Sequence, residues 1–569
     1  MSSIIDVLQK MEKHHSIFED EIRKLDIPTC SEFKDHASPK PVLFEQAAGE
    51  LTTKDSDRVK EAFPQSYSQS QNRVLSAAGI NSDMPKNKRI AVLFSGGPAP
   101  GGHNVVYGLK RILGADNTLL GVKAGPKGLL EGNLFEVTDE NVADIVNTGG
   151  FDFLGSDRTK IKSDEQFLQV KKTCIENNLD AIVIIGGDDS NTNAAILAEY
   201  LFTGIREDGS GVQVIGVPKT IDGDLQVGDI LPISFGFDTA TKIYSEMVGN
   251  ILQDTPSSRK YWHFIKVMGR SASHVALEVA LQTKPAVALI SEEVAEKEIP
   301  LSDIVDQIAQ AVVKRSHKRM NHGVVLIPEG IIEFIPEMNS LIAELNDKIA
   351  LFERELSVKT NEEKRNFIYS KLTPKHAQLM SSLPDYIEDM LLAERDSHGN
   401  LQVSLIPTER LLIDMVSVRV RELDSSVPFK TQNHFFGYEG RCGAPTLFDA
   451  AYCYNLGLTA GSLILAGKTG YMASVSDLNG GGKPLAIPMT GLLNIERRHG
   501  KDEFVIEKAL AKTDSEAMQY FISRRAVWAE EDLFASPGPR QLWGPAARQI
   551  PMTVALNRNY SSLDFNIGK

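Results

Sequence analysis

Residues 179–193, "LDAIVIIGGDDSNTN", decide the fold. An apolar run from Leu179 to Ile185 breaks at Gly186 and Gly187, and from Ser190 the pattern becomes helical. A strand that empties through glycines into a helix is half of a parallel β–α unit. Such glycines leave backbone N–H groups and a helix N-terminus bare, which attracts anions. Two adjacent carboxylates, Asp188 and Asp189, nonetheless stand there.

The same alternation runs outward in both directions. "KRIAVLFSGG" (88–97) reads as a strand, "GGHNVVYGLKRIL" (101–113) as a helix, "LLGVKAG" (119–125) as a strand, and "SDEQFLQVKKTCIENN" (163–178) as a helix. Downstream follow a strand in "VQVIGVPKT" (212–220), a helix from about Phe237 to Gln253, a strand in "YWHFIKVMG" (261–269) and a helix from about Ser273. "AVALISEE" (286–293) reads as a further strand, before a helix from Leu301 and a strand in "HGVVLIPEG" (322–330). These are more strands than one sheet comfortably holds. The expectation is an α/β protein with two doubly wound Rossmann-like domains and an active-site cleft between them. The expected organisation is an amino-terminal extension (1–86), an α/β domain (87–240), a second α/β domain (241–332), a helical insertion (333–407), a return to the α/β core (408–490) and a carboxy-terminal segment (491–569). The extension is polar, with helical stretches near both ends, and reads as wrapped on the domain after it. The insertion rests on "MNSLIAELNDKIALFERELS" and "SSLPDYIEDMLLAERD", charge-rich helical stretches where a short connection would be expected.

Composition narrows the function. The 569 residues carry 61 basic and 75 acidic side chains, for a net charge of −14. That balance, with no Lys/Arg-rich block, argues against a nucleic-acid surface. The start, "MSSIIDVLQKMEKHHS", has no basic segment followed by an apolar core, and no apolar run reaches membrane-spanning length. A cytoplasmic protein with no membrane partner is expected. Cys30, Cys174, Cys442 and Cys453 are widely spaced and form no CxxC pair, so they read as ordinary thiols.

Four strand-to-loop junctions carry glycine or acid: "FSGGPAPGG" (94–102), "IGGDDSN" (185–191), "PKTIDGD" (218–224) and "VMGRSAS" (267–273). Strand carboxyl ends line the ligand crevice of an open α/β sheet. None of the four is a Walker A loop; "GSLILAGKTG" (461–470) misses its spacing, and Gly467 reads as a helix cap. No G-x-G-x-x-G follows the first strand, which argues against a dinucleotide enzyme. Asp222 and Asp224 could take a proton from a hydroxyl, hold Mg²⁺, or simply cap turns. Arg158, Lys219 and Arg270 supply the positive charge that phosphoryl transfer requires.

"FSGGPAPG", "GGDDSN", "PKTIDGD", "VMGR", "IPEG" and "FGYEGRCGAP" stand in the order and at about the spacings of the phosphofructokinase family, which the chain resembles over about residues 88–490. The extension and insertion resemble its long, pyrophosphate-dependent branch. The resemblance implies reversible transfer of a phosphoryl group from pyrophosphate to the 1-hydroxyl of fructose 6-phosphate, with Mg²⁺ as cofactor. It implies that the 87–240 domain binds the donor and the 241–332 domain the sugar phosphate. Asp222 would be the general base, with Thr220, Ile221 and Asp224 lining its loop. Gly97 would meet the donor phosphates, Asp188 would hold Mg²⁺, and Arg158 is expected among the substrate-binding residues. Met268, Gly269 and Arg270 would contact the sugar phosphate, and Glu329, Tyr438 and Arg441 would close round it. Lys260 and Tyr261 fall where a neighbouring subunit reaches into the sugar site, so a homodimer or higher homo-oligomer is expected.

The ATP-using branch has "GGDGS" and "PGTIDND", where this chain has Asp189 and Lys219. Both changes match the pyrophosphate branch, as does Pro98 in "GGPAPG". The resemblance therefore implies that Asp189 fills nucleotide space and repels ATP, while Lys219 supplies charge to pyrophosphate. Two other readings are an ATP-dependent enzyme and a catalytically silent regulatory subunit of a hetero-oligomer. The second would be expected to lose the base or its motif, yet Asp222, Arg270, Glu329 and Arg441 are all present.

Overall fold

The computed structural model describes residues 16–34, 37–206, 209–393, 405–498, 501–538 and 545–568. The helical readings of residues 1–15 and of the insertion's end at 394–404 fall outside these. The chain forms two compact units. The first comprises Met1–Ala240, Tyr438–Ala509 and Arg540–Lys569; the second comprises Thr241–Gly437 and Leu510–Pro539.

Numbered along the chain, the first unit's strands are β1 (Val42–Glu50), β2 (Arg73–Ile80), β3 (Arg89–Ser95), β4 (Thr118–Val122), β5 (Leu134–Glu136), β6 (Ser156–Asp157), β7 (Ala181–Gly186), β8 (Gln213–Thr220) and β9 (Phe235–Gly236). The second unit contributes β10 (Trp262–Val267), β11 (Val287–Ala288), β12 (Gly323–Pro328) and β13 (Thr431–Phe436). The chain then returns to the first unit for β14 (Tyr471–Ser476), β15 (Lys483–Pro488), β16 (Leu493–Arg498) and β17 (Lys501–Ile506).

The first unit's sheet runs β1-β2-β15-β14-β8-β7-β3-β4-β5, with β6 beside β3 and β9 beside β8. Its centre, β14-β8-β7-β3-β4, is parallel. β3 and β7 are buried along nearly their whole length, as expected of strands covered on both faces. Ala91, Leu93, Ile182 and Ile184 pack in one core with Val170 and Cys174 of the helix Asp164–Glu176 and Ala194 and Leu197 of the helix Asp188–Tyr200. Elsewhere in the unit, the helices Gly102–Leu113 and Leu447–Leu465 cross backbone to backbone. A Cβ on Gly108 would run into the Tyr454 carbonyl, and one on Gly457 into that of Val105.

The second unit's sheet, β11-β12-β10-β13, is parallel throughout. Helices within Pro336–Leu391 bury Met338, Leu341, Leu345, Ile368, Met380 and Ile387 in one core with Trp262, Phe264, Val325 and Ile327 of the sheet. Lys266 fastens the chain where it leaves that helical stretch, donating to the Ile406 carbonyl at 2.7 Å and pairing with Glu409 at 3.3 Å. No helix of the described residues is long and apolar enough to cross a membrane.

Three sequence expectations need correction. Part of the amino-terminal extension is integral to the fold: β1 and β2 form its sheet edge, β2 pairing with β15. "AVALISEE" contains a two-residue strand, Val287–Ala288, and then a helix, Ser291–Glu296, whose first turn holds Glu292 and Glu293, where carboxylates favour a helix N-terminus. The helix expected from Ser190 begins at Asp188, with Gly187 as its N-cap, which places both aspartates in the first turn.

Candidate functional site

Three strand ends of the first unit build a charged cluster. At the end of β3, Gly96 adopts φ +87° and its N–H donates to the Asp157 carbonyl at 2.9 Å. The Ser156 hydroxyl donates to the Gly96 carbonyl at 2.5 Å, and Ser190 Oγ donates to Ser95 Oγ at 2.8 Å. A Cβ on Gly96 would lie 3.3 Å from Lys219 Nζ; one on Gly97 would collide with the Arg441 guanidinium and lie 3.5 Å from Arg158 Nη2. Glycine therefore lets three cations approach the loop backbone.

At the end of β7, Asn191 Nδ2 donates to the carbonyls of Gly186 and Gly187, at 2.7 and 2.9 Å, and fixes the turn that presents Asp188 and Asp189. At the end of β8 stand Lys219, Thr220, Ile221, Asp222 and Asp224. The Asp222 N–H donates to Thr220 Oγ1 at 3.1 Å, and Gly223 follows with φ +74°. Asp224, buried, accepts from the Ala509 N–H on its carbonyl at 2.7 Å and faces Lys508 with its carboxylate at 3.7 Å. Ile221 is buried, Asp222 partly so, and Arg158 is exposed.

The charges act on one another. Burial lowers the Lys219 ammonium to a pKa of about 8; Arg441 and Arg158 push the same way, while Asp222 and Asp188 oppose them. Burial raises the Asp188 carboxyl to about 6, opposed by Lys508 and reinforced by Asp189 and Asp224. The cluster therefore contains four cations, Arg158, Lys219, Arg441 and Lys508, and four carboxylates, Asp188, Asp189, Asp222 and Asp224.

The second unit gathers a different set. Buried Glu329, at the end of β12, accepts from the Gly269 N–H at 3.1 Å, and its own N–H donates to the Val267 carbonyl at 3.0 Å. The Met268 N–H donates to the Phe436 carbonyl at 3.1 Å. A Cβ on Gly330 would overlap the Arg270 carbonyl, so glycine allows that loop to close against "IPEG". Glu292 supports the loop's far end, accepting on one oxygen from the N–H groups of Ser273 and Ala511, at 3.0 and 2.9 Å. Lys260 is exposed at the start of β10, with its ammonium 5.1 Å from the Tyr261 ring centroid. Tyr438, back in the first unit, is 75% exposed, and its ring centroid lies 5.4 Å from the Arg441 guanidinium.

The structure thus brings Gly97, Arg158, Asp188, Asp189, Lys219, Asp222, Asp224 and Arg441 together in the first unit, and Met268, Gly269, Arg270 and Glu329 together in the second. Lys508 and Glu292 are absent from the sequence-derived set. Lys508 carries no motif, and Glu292 lies in a stretch that reads as a strand.

A doubly wound sheet whose strand ends gather glycines, cations and carboxylates has the make-up of a phosphoryl-transfer protein. The sequence profile of the phosphofructokinase family matches residues 89–464, and this chain belongs to that family. It is 47% identical to a pyrophosphate–fructose 6-phosphate 1-phosphotransferase of Porphyromonas gingivalis, over 89% of this chain and 93% of that one. It is 45% identical to the Treponema pallidum protein of the same name, over 90% and 92%. It is 42% identical to the beta subunit of the Ricinus communis phosphotransferase, over 88% and 90%. Among solved structures, Pichia pastoris phosphofructokinase superimposes with a TM-score of 0.50 at 17% identity, covering 78% of this chain and 42% of that longer one, a likeness of fold.

Proposed function

We propose that this chain catalyses the reversible transfer of a phosphoryl group from pyrophosphate to the 1-hydroxyl of fructose 6-phosphate, giving fructose 1,6-bisphosphate and phosphate, as a cytoplasmic step of glycolysis. The reaction is the one named for its relatives. The observation that carries it here is Lys219, held beside the glycine loop among Arg441, Arg158, Asp188 and Asp222. That concentration of charge suits a small, highly charged donor.

In this reading Asp222 accepts the proton of the attacking hydroxyl, and Thr220 orients the loop through its bond to the Asp222 N–H. Lys219 and Arg158 offset the charge of the donor, which the open backbone at Gly97 approaches; Arg441, expected from the sequence to close round the sugar phosphate, is reassigned to the donor because its guanidinium lies against Gly97. In the same reading Asp189 is the charge that repels a nucleotide donor. Met268, Gly269, Arg270 and Glu329 bind the sugar phosphate, and Tyr438 is assigned to the same substrate.

Mg²⁺ holds few protein carboxylates and fills its octahedron with phosphate oxygens and water. Asp188, flanked by Asp189 and Asp224, fits as its protein ligand. When bound, Mg²⁺ would neutralise phosphate charge.

The purified chain, given Mg²⁺ and fructose 6-phosphate, is expected to turn over with pyrophosphate and hardly at all with ATP; a preference for ATP overturns the reading. A homo-oligomer in which Lys260 and Tyr261 serve a neighbouring subunit's sugar site is part of the proposal. Mixing Asp222→Ala and Lys260→Ala chains should then restore part of the lost activity, and no recovery after verified subunit exchange counts against shared sites.

A further inference from the structure

The β16–β17 hairpin lies beyond the residues matched by the family profile, yet it is docked on the helix that begins with Asp188. The Ile506 N–H donates to Thr192 Oγ1 of that helix at 2.9 Å, and Ile506 and Leu493 share a core with Ala194 and Ala195. Ion pairs join Glu503 to Lys160 at 2.8 Å and Asp502 to Arg58 at 3.0 Å. Asn494 Nδ2 donates to Glu507 at 3.0 Å, fixing the chain just past β17. The next residue is Lys508. Its ammonium stands 3.7 Å from the buried Asp224 carboxylate, while the following N–H, of Ala509, holds the Asp224 carbonyl. Residues 508 and 509 thus clasp one residue of the "TIDGD" loop by side chain and backbone together.

From this geometry we infer that Lys508 is a positioning residue of the donor site, balancing the charge of Asp224 and its neighbouring carboxylates so that a polyanion can enter. The inference rests on the donor being pyrophosphate. Asp224 is the carboxylate of this cluster that Lys508 faces, and a like charge a few ångströms from an incoming diphosphate repels strongly where protein excludes water. The hairpin therefore sets the charge of a pocket whose motifs lie far upstream.

The test is binding of imidodiphosphate, a non-transferable pyrophosphate analogue, with Mg²⁺ to the full-length protein, measured by calorimetry alongside binding of fructose 6-phosphate. Lys508→Met should weaken imidodiphosphate by about tenfold or more, leave fructose 6-phosphate within about twofold, and raise KM for pyrophosphate more than it lowers kcat. Lys508→Arg should restore most of the affinity. In the Lys508→Met background, Asp224→Asn should recover part of the loss, because it removes the charge that Lys508 balances. Equal affinity for imidodiphosphate in wild type and folded Lys508→Met overturns the inference, as does a parallel loss for both ligands. If Lys508→Met does not fold, Lys508→Gln and the double variant carry the same comparison, and a double variant no better than Lys508→Gln overturns it. A wild-type chain that fails to bind imidodiphosphate overturns the proposed donor, and this inference falls with it.

Discussion

The two units hold their candidate residues differently. In the first, Lys219, Asp188 and Asp224 are set among charges of both signs, and one glycine loop lies against three cations. In the second, Glu329, Gly269 and Met268 are tied into a lattice of backbone hydrogen bonds that joins β10, β12 and β13. A charge-balanced site discriminates by total charge and responds to pH and salt; a site built on backbone geometry discriminates by shape and responds to deletion of atoms. On the proposed function, the first would choose among phosphate donors and the second would hold one sugar.

The sharpest break should come at Asp222. Asp222→Ala is expected to lower kcat by about 10²–10⁴ with little change in either substrate's affinity, since general-base catalysis acts in the transition state. Near-normal turnover would remove Asp222 from its role. Next comes Glu329→Ala, which takes away the acceptor of the Gly269 N–H and should raise KM for fructose 6-phosphate by about 10–100-fold, leaving pyrophosphate KM unchanged. An equal rise for both substrates would mean that the second unit is no more selective than the first. Asp189→Gly removes one charge, and like charges at about 4 Å cost about 1–4 kcal/mol. ATP use should rise and pyrophosphate turnover fall, moving the donor ratio by about tenfold or more; an unchanged ratio would show that Asp189 is only a first-turn residue of its helix.

The smallest effect is in pH. Lys219 is charged below about 8 and neutral above, so KM for pyrophosphate should climb between pH 7 and 9 while KM for fructose 6-phosphate stays level. Stability runs the other way. Because the folded pKa lies below that of the unfolded chain, unfolding takes up a proton between about pH 8 and 10.5, and the contribution of this residue to stability rises with pH across that window. Equal pH profiles for the two substrates would dissolve the contrast.

Much of this was legible in the residues. Buried parallel strands are near-continuous apolar runs, and the glycines at 96–97, 186–187 and 269 mark their ends, so the alternation that defines the sheets is written locally. What the sequence hid depends on distant contacts. β1 and β2 carry mixed polar residues that acquire meaning as strands through β15, some 400 residues later. Glu292 lies in the first turn of a helix where the apolar pattern promised a strand, and its carboxylate is matched to N–H groups at positions 273 and 511. Lys508 looks like one more lysine in a polar tail until the hairpin before it docks on the Asp188 helix.

The chain passes between its two units at residues 240, 437, 509 and 539, and this has a consequence for how the protein is made. β8 ends at Thr220, but its parallel neighbour β14 begins only at Tyr471, about 250 residues later. At ribosomal speeds of about 5–20 residues per second, β8 emerges roughly 10–50 s before the strand that covers it. β2 waits longer still for β15. Throughout that interval the nascent chain presents open strand edges, the kind of surface that templates aggregation. A chain ending before Tyr471 would present both edges permanently, so the burden of keeping this protein soluble falls on whatever shields it during its own synthesis.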